Sequence, residues 1–247
     1  MNFFSLYKRH LIYLLKKKQN IDNIFLNKDK SLEYLFSYFG TDKAIFDKLN
    51  NRRGHGYSPF YQKIFLPLKK KKLKLLEIGS YSGASAAAFV NYFDDVEIFC
   101  LDINISNFIY KSNQIKVFGL DIKNVSSLEK FFKKIGLNRN ESFFDIIIDD
   151  GSHKLSDILF SINYFFPNLK KDGLYIIEEY NFPKYFKHLN DVNHIIIEDL
   201  ISYVKNKKFF ESSLIKKNNI SELLRVKNVE TFKGSQSESD IVVFKKN

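Results

Sequence analysis

The chain has 247 residues, of which 45% are hydrophobic and 16% aromatic, and this composition excludes an intrinsically disordered protein. Its net charge of +11 comes from 39 Lys and Arg against 28 Asp and Glu. Most of the excess is Lys, and Arg, the side chain suited to reading bases and phosphates, is scarce. We therefore interpret the excess as a solvated basic surface and expect no nucleic-acid partner.

Cys100 is the single cysteine, which excludes an internal disulfide and a zinc site built on several cysteines. It lies in the apolar run VEIFCLDI, so we expect a small buried hydrophobic side chain rather than a reactive thiol. A single cysteine suits a reducing compartment, and we expect a cytoplasmic protein.

The first predicted element is a helix within MNFFSLYKRHLIYLLKKKQN. Its apolar run LIYLL is too short for a secretory signal or a membrane span. Phe4, Tyr7, Leu11 and Leu14 recur at helical spacing, with Lys and Arg elsewhere on the turn. The pattern favours a docking or dimerisation helix, and so a homo-oligomer, over peripheral contact with an anionic membrane.

Two further helices are predicted before residue 68. The stretch SLEYLFSYFG indicates a short helix closed by Gly40, and PFYQKIFLPL indicates another with Pro59 in its first turn. Between them, residues 41–57 have the glycines and polar residues typical of a loop.

From residue 73 the pattern changes to short apolar runs separated by helix-like stretches. The runs are LKLLEIG, VEIFCLDI, IKVFGLD, FFDIIIDD and GLYIIEEY. Strands that alternate with helices indicate βαβ units and a parallel sheet covered on both faces. A helical stretch is then expected over about 184–208, and RVKNVETFKG and DIVVFKK predict a terminal strand pair.

The first candidate ligand site is the turn in LLEIGSYSGAS. Gly79 and Gly83 bracket this turn after the predicted strand, where glycine lets the backbone approach a ligand at a helix N-terminus. Tyr81 occupies the place of the middle glycine in a dinucleotide motif. A structural turn is the alternative interpretation.

Aspartates end the next two strands. Asp102 lies a little over 20 residues beyond Gly79, where an acid can accept both hydroxyls of a nucleoside ribose. Asp121 could lie near the adenine ring, and capping of the following helix is almost as good an explanation.

A second candidate site follows the fourth and fifth strands. Asp149, Asp150 and His153 leave the fourth strand, and Glu178 and Glu179 end the fifth. Carboxylates that meet at adjacent strand ends repel one another unless a cation or protons intervene, and a hard divalent ion such as Mg2+ is the simplest solution. Separate helix caps and solvated loop acids are the alternative.

These motifs resemble those of the class I S-adenosylmethionine-dependent methyltransferases, and more narrowly the metal-dependent O-methyltransferases of macrolide sugars (the mycinamicin and demethylmacrocin type). The likeness covers about residues 38–246 and rests on GTDK at 40–43, HGYSPFY at 55–61, EIGSYSGAS at 77–85, DDGSH at 149–153 and GLYIIEEY at 173–180. The glycine turn is generic to the superfamily, whereas the GTDK, HGY and DDGSH series is much more specific.

The predicted elements and the resemblance together indicate a fold and a domain organisation. The fold would be α/β and Rossmann-like, with a doubly wound, mostly parallel seven-stranded sheet, a C-terminal antiparallel strand pair and an N-terminal helical extension. Residues 1–67 would form that extension with a lid or substrate loop, and residues 68–247 the S-adenosylmethionine-dependent domain.

The resemblance also implies an enzyme that methylates a sugar hydroxyl, with S-adenosylmethionine and Mg2+ as cofactors and a saccharide or glycosylated small molecule as substrate. Asp150, Glu178 and Glu179 would hold Mg2+, and His153 would be the general base. His55 and Tyr57, in the candidate lid loop from Thr41 to Tyr57, would touch substrate, and an exposed loop histidine is the alternative for His55. The residues that would bind S-adenosylmethionine are Glu77, Gly79, Tyr81, Gly83, Ser85, Asp102 and Asp121.

The sequence departs from the family pattern at Glu179, where Asp is usual, and this change alters the reach of the carboxylate. Three alternatives to the sugar methyltransferase remain. They are methylation of a catechol-like diol, a nicotinamide oxidoreductase disfavoured by the missing middle glycine, and a non-catalytic module that binds anionic surfaces through the N-terminus and LKKKKLK at 68–74.

Overall fold

The computed structural model describes residues 3–24, 26, 29–48, 51–138 and 141–247, without the side chains of Phe3 and Phe4. The chain forms two compact units, Met1–Asn124 and Val125–Asn247. The domain boundary predicted at residues 67 and 68 falls inside the first unit, and the assignment of a lid or substrate loop to residues 1–67 stays a prediction.

The first unit contains four α-helices and seven short or long strands among its described residues. The helices are α1 (Phe3–Leu15), α2 (Leu32–Phe39), α3 (Ser58–Phe65) and α4 (Ala84–Tyr92). The strands are β1 (Gln19–Asn20), β2 (Phe46–Asp47), β3 (Arg52–Arg53), β4 (Lys72–Ile78), β5 (Asp95–Asp102), β6 (Tyr110–Lys111) and β7 (Ile115–Gly119). Two 3-10 turns lie at Leu66–Leu68 and Ile105–Asn107.

Helix α2 begins and ends where its sequence signals predict. The Ser31 side chain accepts a hydrogen bond from the backbone of Tyr34, and Gly40 ends the helix in the left-handed conformation with φ of 76°. Only glycine adopts this conformation without steric cost, so the Gly40 prediction is confirmed. Helix α3 likewise has Pro59 in its first turn.

Strands β4, β5 and β7 run parallel, with β5 paired to both of the others. Cys100 lies in β5 opposite Glu77 of β4 and Val117 of β7, and its side chain is fully buried. Burial raises the pKa of the Cys100 thiol well above its usual value, which confirms the expectation of an inert buried side chain.

Aromatic rings join α2, α3 and α4. Phe89 of α4 lies with its ring centroid 5.6 Å from those of Phe36 and Phe65 and 5.9 Å from that of Tyr61, and all four side chains are fully buried. Edge-to-face and tilted ring pairs of this kind stabilise a core beyond the area they bury. This cluster fixes the helix that follows the glycine turn.

The second unit contains five α-helices and four strands among its described residues. The helices are α5 (Val125–Lys134), α6 (Leu155–Phe165), α7 (Phe182–Tyr185), α8 (Ile197–Lys205) and α9 (Lys217–Leu223). The strands are β8 (Phe144–Asp149), β9 (Leu169–Ile177), β10 (Asn228–Lys233) and β11 (Asp240–Lys245), and a 3-10 turn lies at Phe166–Asn168.

Strand β9 pairs with β8 in parallel and with β11 in antiparallel orientation, and β11 also pairs antiparallel with β10. The C-terminal antiparallel pair is therefore confirmed, as is a mostly parallel α/β architecture. The arrangement of all seven long strands in one doubly wound sheet stays a prediction.

The helix expected over about 184–208 is wrong in its extent. Helix α7 ends at Tyr185 and α8 begins at Ile197, with turns and irregular backbone between them. The intervening KHLNDVNH has too few apolar residues to supply a buried helical face. Within the described part of the chain, no helix combines the length and apolar character needed to cross a bilayer.

Candidate active site

In the glycine turn of the first unit, every second residue from Gly79 to Gly83 has a positive φ. Gly79 follows β4 with φ of 84°, Tyr81 has φ of 42°, and Gly83 precedes α4 with φ of 77°. The Gly79 amide donates to the carbonyl of Leu101, which ties the turn to the end of β5. The Tyr81 side chain is 66% exposed, so it points away from the core.

Glu77 and Ser85 connect the strand before this turn to the helix after it. The Ser85 hydroxyl donates to Oε1 of Glu77 at 2.5 Å, and both residues are buried. A buried carboxylate needs such donors to offset its desolvation. The pair therefore fixes the position of the helix N-terminus relative to β4.

Asp102 belongs to the same turn through its carboxylate. Oδ2 accepts the amide of Tyr81 at 2.7 Å and Oδ1 accepts the amide of Asn104 at 2.6 Å. A carboxylate oxygen can accept a second hydrogen bond, so these contacts leave capacity for ribose hydroxyls. The Asp121 carboxylate accepts the amide of Lys123 at 3.0 Å and closes a local turn.

The segment of residues 41–57, in which residues 49 and 50 lie outside the description, folds back on itself through β2 and β3. Tyr57 is fully buried, whereas the His55 side chain is 21% exposed and its Nε2 lies 3.7 Å from Oδ2 of Asp42. The His55 and Tyr57 rings are stacked with centroids 5.5 Å apart. Only His55 of this pair reaches the surface, and the substrate role of both stays a prediction.

In the second unit, Asp150, His153 and Glu179 bring one ligand atom each within 4.8 Å of one another. Nε2 of His153 lies 3.8 Å from Oδ1 of Asp150, and Nδ1 lies 3.9 Å from Oε2 of Glu179. Asp150 and His153 follow β8 and Glu179 follows β9, so the parallel pairing of these strands brings the three together. The Glu179 side chain is 4% exposed and the other two are about one-fifth exposed.

Glu178, a predicted metal ligand, is buried but is not a member of this three-residue group. Its amide donates to the carbonyl of Asp149 and extends the pairing of β8 and β9. Glu178 and Glu179 both lie in the turn that follows β9, and only Glu179 belongs to the group. The role of Glu178 as a metal ligand stays a prediction.

Asp149 is the last residue of β8, directly before Asp150, and is 4% exposed. Burial raises its pKa to about 7, against the opposing effect of hydrogen bonds from the Ser161 hydroxyl and the Gly151 amide. The Ser161 hydroxyl also lies 2.8 Å from that of Tyr175. This buried polar network supports the end of β8 from which Asp150 and His153 emerge.

Backbone conformation and one aromatic contact at this site were not predicted from the sequence. His153 and Glu179 have φ of 55° and 44°, which is uncommon outside glycine and clusters at functional sites. The ring of Phe182 lies 5.0 Å from that of His153. The contact between Phe182 and His153 could have been suspected from the sequence, because Phe182 is only three residues after Glu179.

The donor set is compatible with Mg2+. Two carboxylates from Asp150 and Glu179 supply the oxygen ligands that Mg2+ prefers, and this ion usually keeps several waters. The imidazole of His153 is better matched to transition metals, so the residues fit Mg2+ best with the histidine in another role.

No known protein-family model matches the chain. Curated proteins similar to it include mycinamicin VI 2''-O-methyltransferase of Micromonospora griseorubida, 27% identical over 132 residues, and demethylmacrocin O-methyltransferase of Streptomyces fradiae, 28% identical over 132 residues. Each match covers 51% of this chain but only 31% and 32% of the relatives, so the aligned region is about a third of their length.

Solved structures give a longer match. The MycE methyltransferase of the mycinamycin pathway, in complex with Mg and SAH, superposes with a TM-score of 0.63 over 88% of this chain and 55% of that one, at 20% identity. The chain has the class I methyltransferase fold. A second MycE structure, which also contains mycinamycin VI, gives a TM-score of 0.62 at 18% identity. The class I methyltransferase resemblance read from the sequence motifs is thereby confirmed.

Proposed function

We propose that this class I methyltransferase-like chain transfers a methyl group from S-adenosylmethionine to a sugar hydroxyl of a glycan or glycosylated metabolite, with Mg2+ assistance. The observation that carries the proposal is the Asp150–His153–Glu179 group at the carboxyl ends of β8 and β9. The similarity to named sugar O-methyltransferases and to the magnesium-containing MycE supports it.

In the first unit, the proposed cofactor site is the glycine turn. The left-handed residues Gly79 and Gly83 would let the backbone approach the amino-acid part of S-adenosylmethionine closely. The carboxylate of Asp102, held by two amides, would accept the ribose hydroxyls, and Asp121 would lie near the base. Glu77 and Ser85 would position the helix N-terminus through their mutual hydrogen bond.

In the second unit, Asp150 and Glu179 would hold the metal, with Glu178 as a further predicted ligand. Mg2+ bound there would supply a positive charge that stabilises a developing alkoxide. His153 would accept the hydroxyl proton at a ring nitrogen, Nδ1 or Nε2, because imidazole titrates near neutral pH. Phe182, packed on the ring, would limit rotation of the imidazole.

The decisive experiment is isothermal titration of S-adenosylmethionine with and without Mg2+, followed by a screen of saccharide acceptors for methyl transfer. We expect cofactor binding and Mg2+-dependent methylation of at least one saccharide. Full activity in chelator-treated protein would contradict the metal assignment, and methylation of catechols but no saccharide would favour a diol methyltransferase.

Asp150→Ala separates the two sites. The variant should lose Mg2+-dependent activity and bind S-adenosylmethionine normally, because Asp102 and the glycine turn are unchanged. Asp102→Ala is the reciprocal variant: it should weaken S-adenosylmethionine at least about tenfold, since it removes charged hydrogen bonds, and leave binding of Mn2+ as a metal probe unchanged.

A further inference from the structure

One face of helix α1 contacts the rest of the first unit. The ring of Tyr13 meets that of Phe108 edge-on with centroids 6.4 Å apart. Arg9 donates through Nη1 to the carbonyl of Ile103 at 3.0 Å, and Lys16 donates through Nζ to the carbonyl of Ser106 at 2.9 Å. Two of the basic residues in this segment therefore hold the helix in place.

The opposite face of α1 is an exposed apolar stripe. Tyr7, Leu11 and Leu14, at helical spacing, are 55%, 41% and 59% exposed, and the neighbouring Leu15 is 87% exposed. Isolated exposed apolar side chains are ordinary, but a continuous row of them marks an interaction surface. Of the four apolar residues that predicted a docking helix, Tyr7, Leu11 and Leu14 are therefore exposed. The side chain of the fourth, Phe4, lies outside the described residues.

Positive charge borders this stripe. A rotation of about 100° per residue places Lys8 beside the Tyr7–Leu11–Leu14 row, and Lys17 follows two residues after the helix ends at Leu15. Both lysines are exposed. The sequence has no Asp or Glu before Asp22, so the helix carries no carboxylate to balance them.

The lysines beside the stripe favour a negatively charged binding partner. A second copy of α1 would bring further lysines to the stripe and no acid, whereas anionic phospholipids would neutralise the lysines and accept the apolar side chains. A helix of 13 residues is about 20 Å long, too short to span a bilayer but suited to lie in its interface.

We propose that the outer face of α1 binds anionic membrane surfaces, with Tyr7, Leu11, Leu14 and Leu15 inserted at the headgroup boundary and Lys8 and Lys17 on lipid phosphates. Attachment of this kind would bring the protein to glycolipids or lipid-linked saccharides. The proposal itself concerns only the helix and is independent of the proposed methyl transfer.

The test is co-sedimentation of the full chain with vesicles of phosphatidylcholine alone and of phosphatidylcholine with phosphatidylglycerol in equal parts. We expect binding only to the second, and a bound fraction that falls as salt is added. Leu11→Glu with Leu14→Glu, and separately Lys8→Glu with Lys17→Glu, should each lower the vesicle affinity at least about tenfold. Circular dichroism and S-adenosylmethionine titration check that both variants remain folded.

Lys70→Glu with Lys71→Glu is the matched control, because it changes the net charge by the same amount at two exposed lysines outside α1. It should retain most of the vesicle binding. If the control lost as much vesicle binding as the α1 variants, the overall charge of the protein would explain the binding and the proposal would be overturned. Absence of wild-type binding to anionic vesicles would also overturn it, as would a dimer in sedimentation velocity that the Leu11 and Leu14 changes abolish while vesicle binding persists.

Discussion

At the scale of single residues, His153 has two possible roles, because both of its ring nitrogens lie near carboxylate oxygens of Asp150 and Glu179. A general base acts only in the proton transfer, whereas a metal ligand also determines metal affinity. Kinetics and metal binding measured on one variant can therefore separate the two roles.

His153→Ala is expected to lower kcat by about a hundredfold to ten-thousandfold, the usual contribution of a general base, and to leave the affinity for S-adenosylmethionine unchanged. Single-turnover methylation and isothermal titration measure the two quantities. His188→Ala, at an exposed histidine of the same unit, is the control and should retain full activity. A large loss of Mn2+ affinity in His153→Ala would instead assign the imidazole to the metal.

Asp149 predicts a pH dependence of stability. Its pKa is raised from 3.8 to about 7 by burial, so the folded protein keeps a proton that the unfolded chain has lost. Stability from this group is complete below pH 3.8 and is lost as the pH rises toward 7, by a total on the order of 4 kcal/mol. Asp149→Asn should therefore gain stability relative to the metal-free wild type over this pH range, as measured by urea unfolding.

Asp172 supplies a control of opposite sign. The hydrogen bond and charge of Lys227 lower the pKa of this exposed carboxyl. Its contribution is present above the unfolded pKa of 3.8 and is lost as the pH falls through the lower folded value. Asp172→Asn should thus lose its stability difference from wild type in acid, and a parallel pH profile for the two variants would contradict the assignment to Asp149.

At the scale of elements, the start of α4 depends on Gly83. A Cβ at this position would lie 2.3 Å from Cζ of Phe108, whose ring is fully buried, and φ is 77°. Gly83→Ala should therefore destabilise the protein by about 2–4 kcal/mol, from overpacking and from the left-handed backbone together. Denaturant unfolding measures the loss.

Gly136→Ala is the matched variant for this prediction. Its φ is 71°, but no atom lies within 4 Å of the added Cβ. It should cost only the backbone term of about 1 kcal/mol. Phe108→Leu in the Gly83→Ala background should recover part of the loss, and equal destabilisation by the two alanines would show that the contact with Phe108 is unimportant.

Elements whose ends are set by local chemistry could be predicted from the sequence. Gly40, Pro59 and the alternation of apolar runs with helical stretches located α2, α3 and the long strands, because each signal acts within a few residues. The break between α7 and α8 was missed although KHLNDVNH has few apolar residues, because a scarcity of apolar residues does not by itself locate where a helix ends.

The candidate metal group shows the same limit. The acids at the ends of β8 and β9 could be predicted to converge, because parallel pairing brings those ends together. The inclusion of His153 rather than Glu178 could not, because the backbone is left-handed at His153 and Glu179, which is uncommon for any residue other than glycine.

At the scale of the whole molecule, ligand binding should appear as added stability. At one hundred times its dissociation constant, a ligand that binds only the folded state contributes about 2.7 kcal/mol, which corresponds to an increase in Tm of about 5–10 °C for a chain of this size. S-adenosylhomocysteine should raise the Tm of both wild type and Asp150→Ala. Mg2+ should add a further increase in wild type alone, and an equal increase in the variant would place the ion elsewhere.

The anchoring of α1 has a consequence for how this part of the protein can evolve. Arg9 and Lys16 donate hydrogen bonds to the main-chain carbonyls of Ile103, Ser106 and Asn107. Every amino acid presents a carbonyl, so drift in the identity of Ser106 or Asn107 does not remove the acceptors. The tether can persist while the loop beside Asp102 adapts to new ligands.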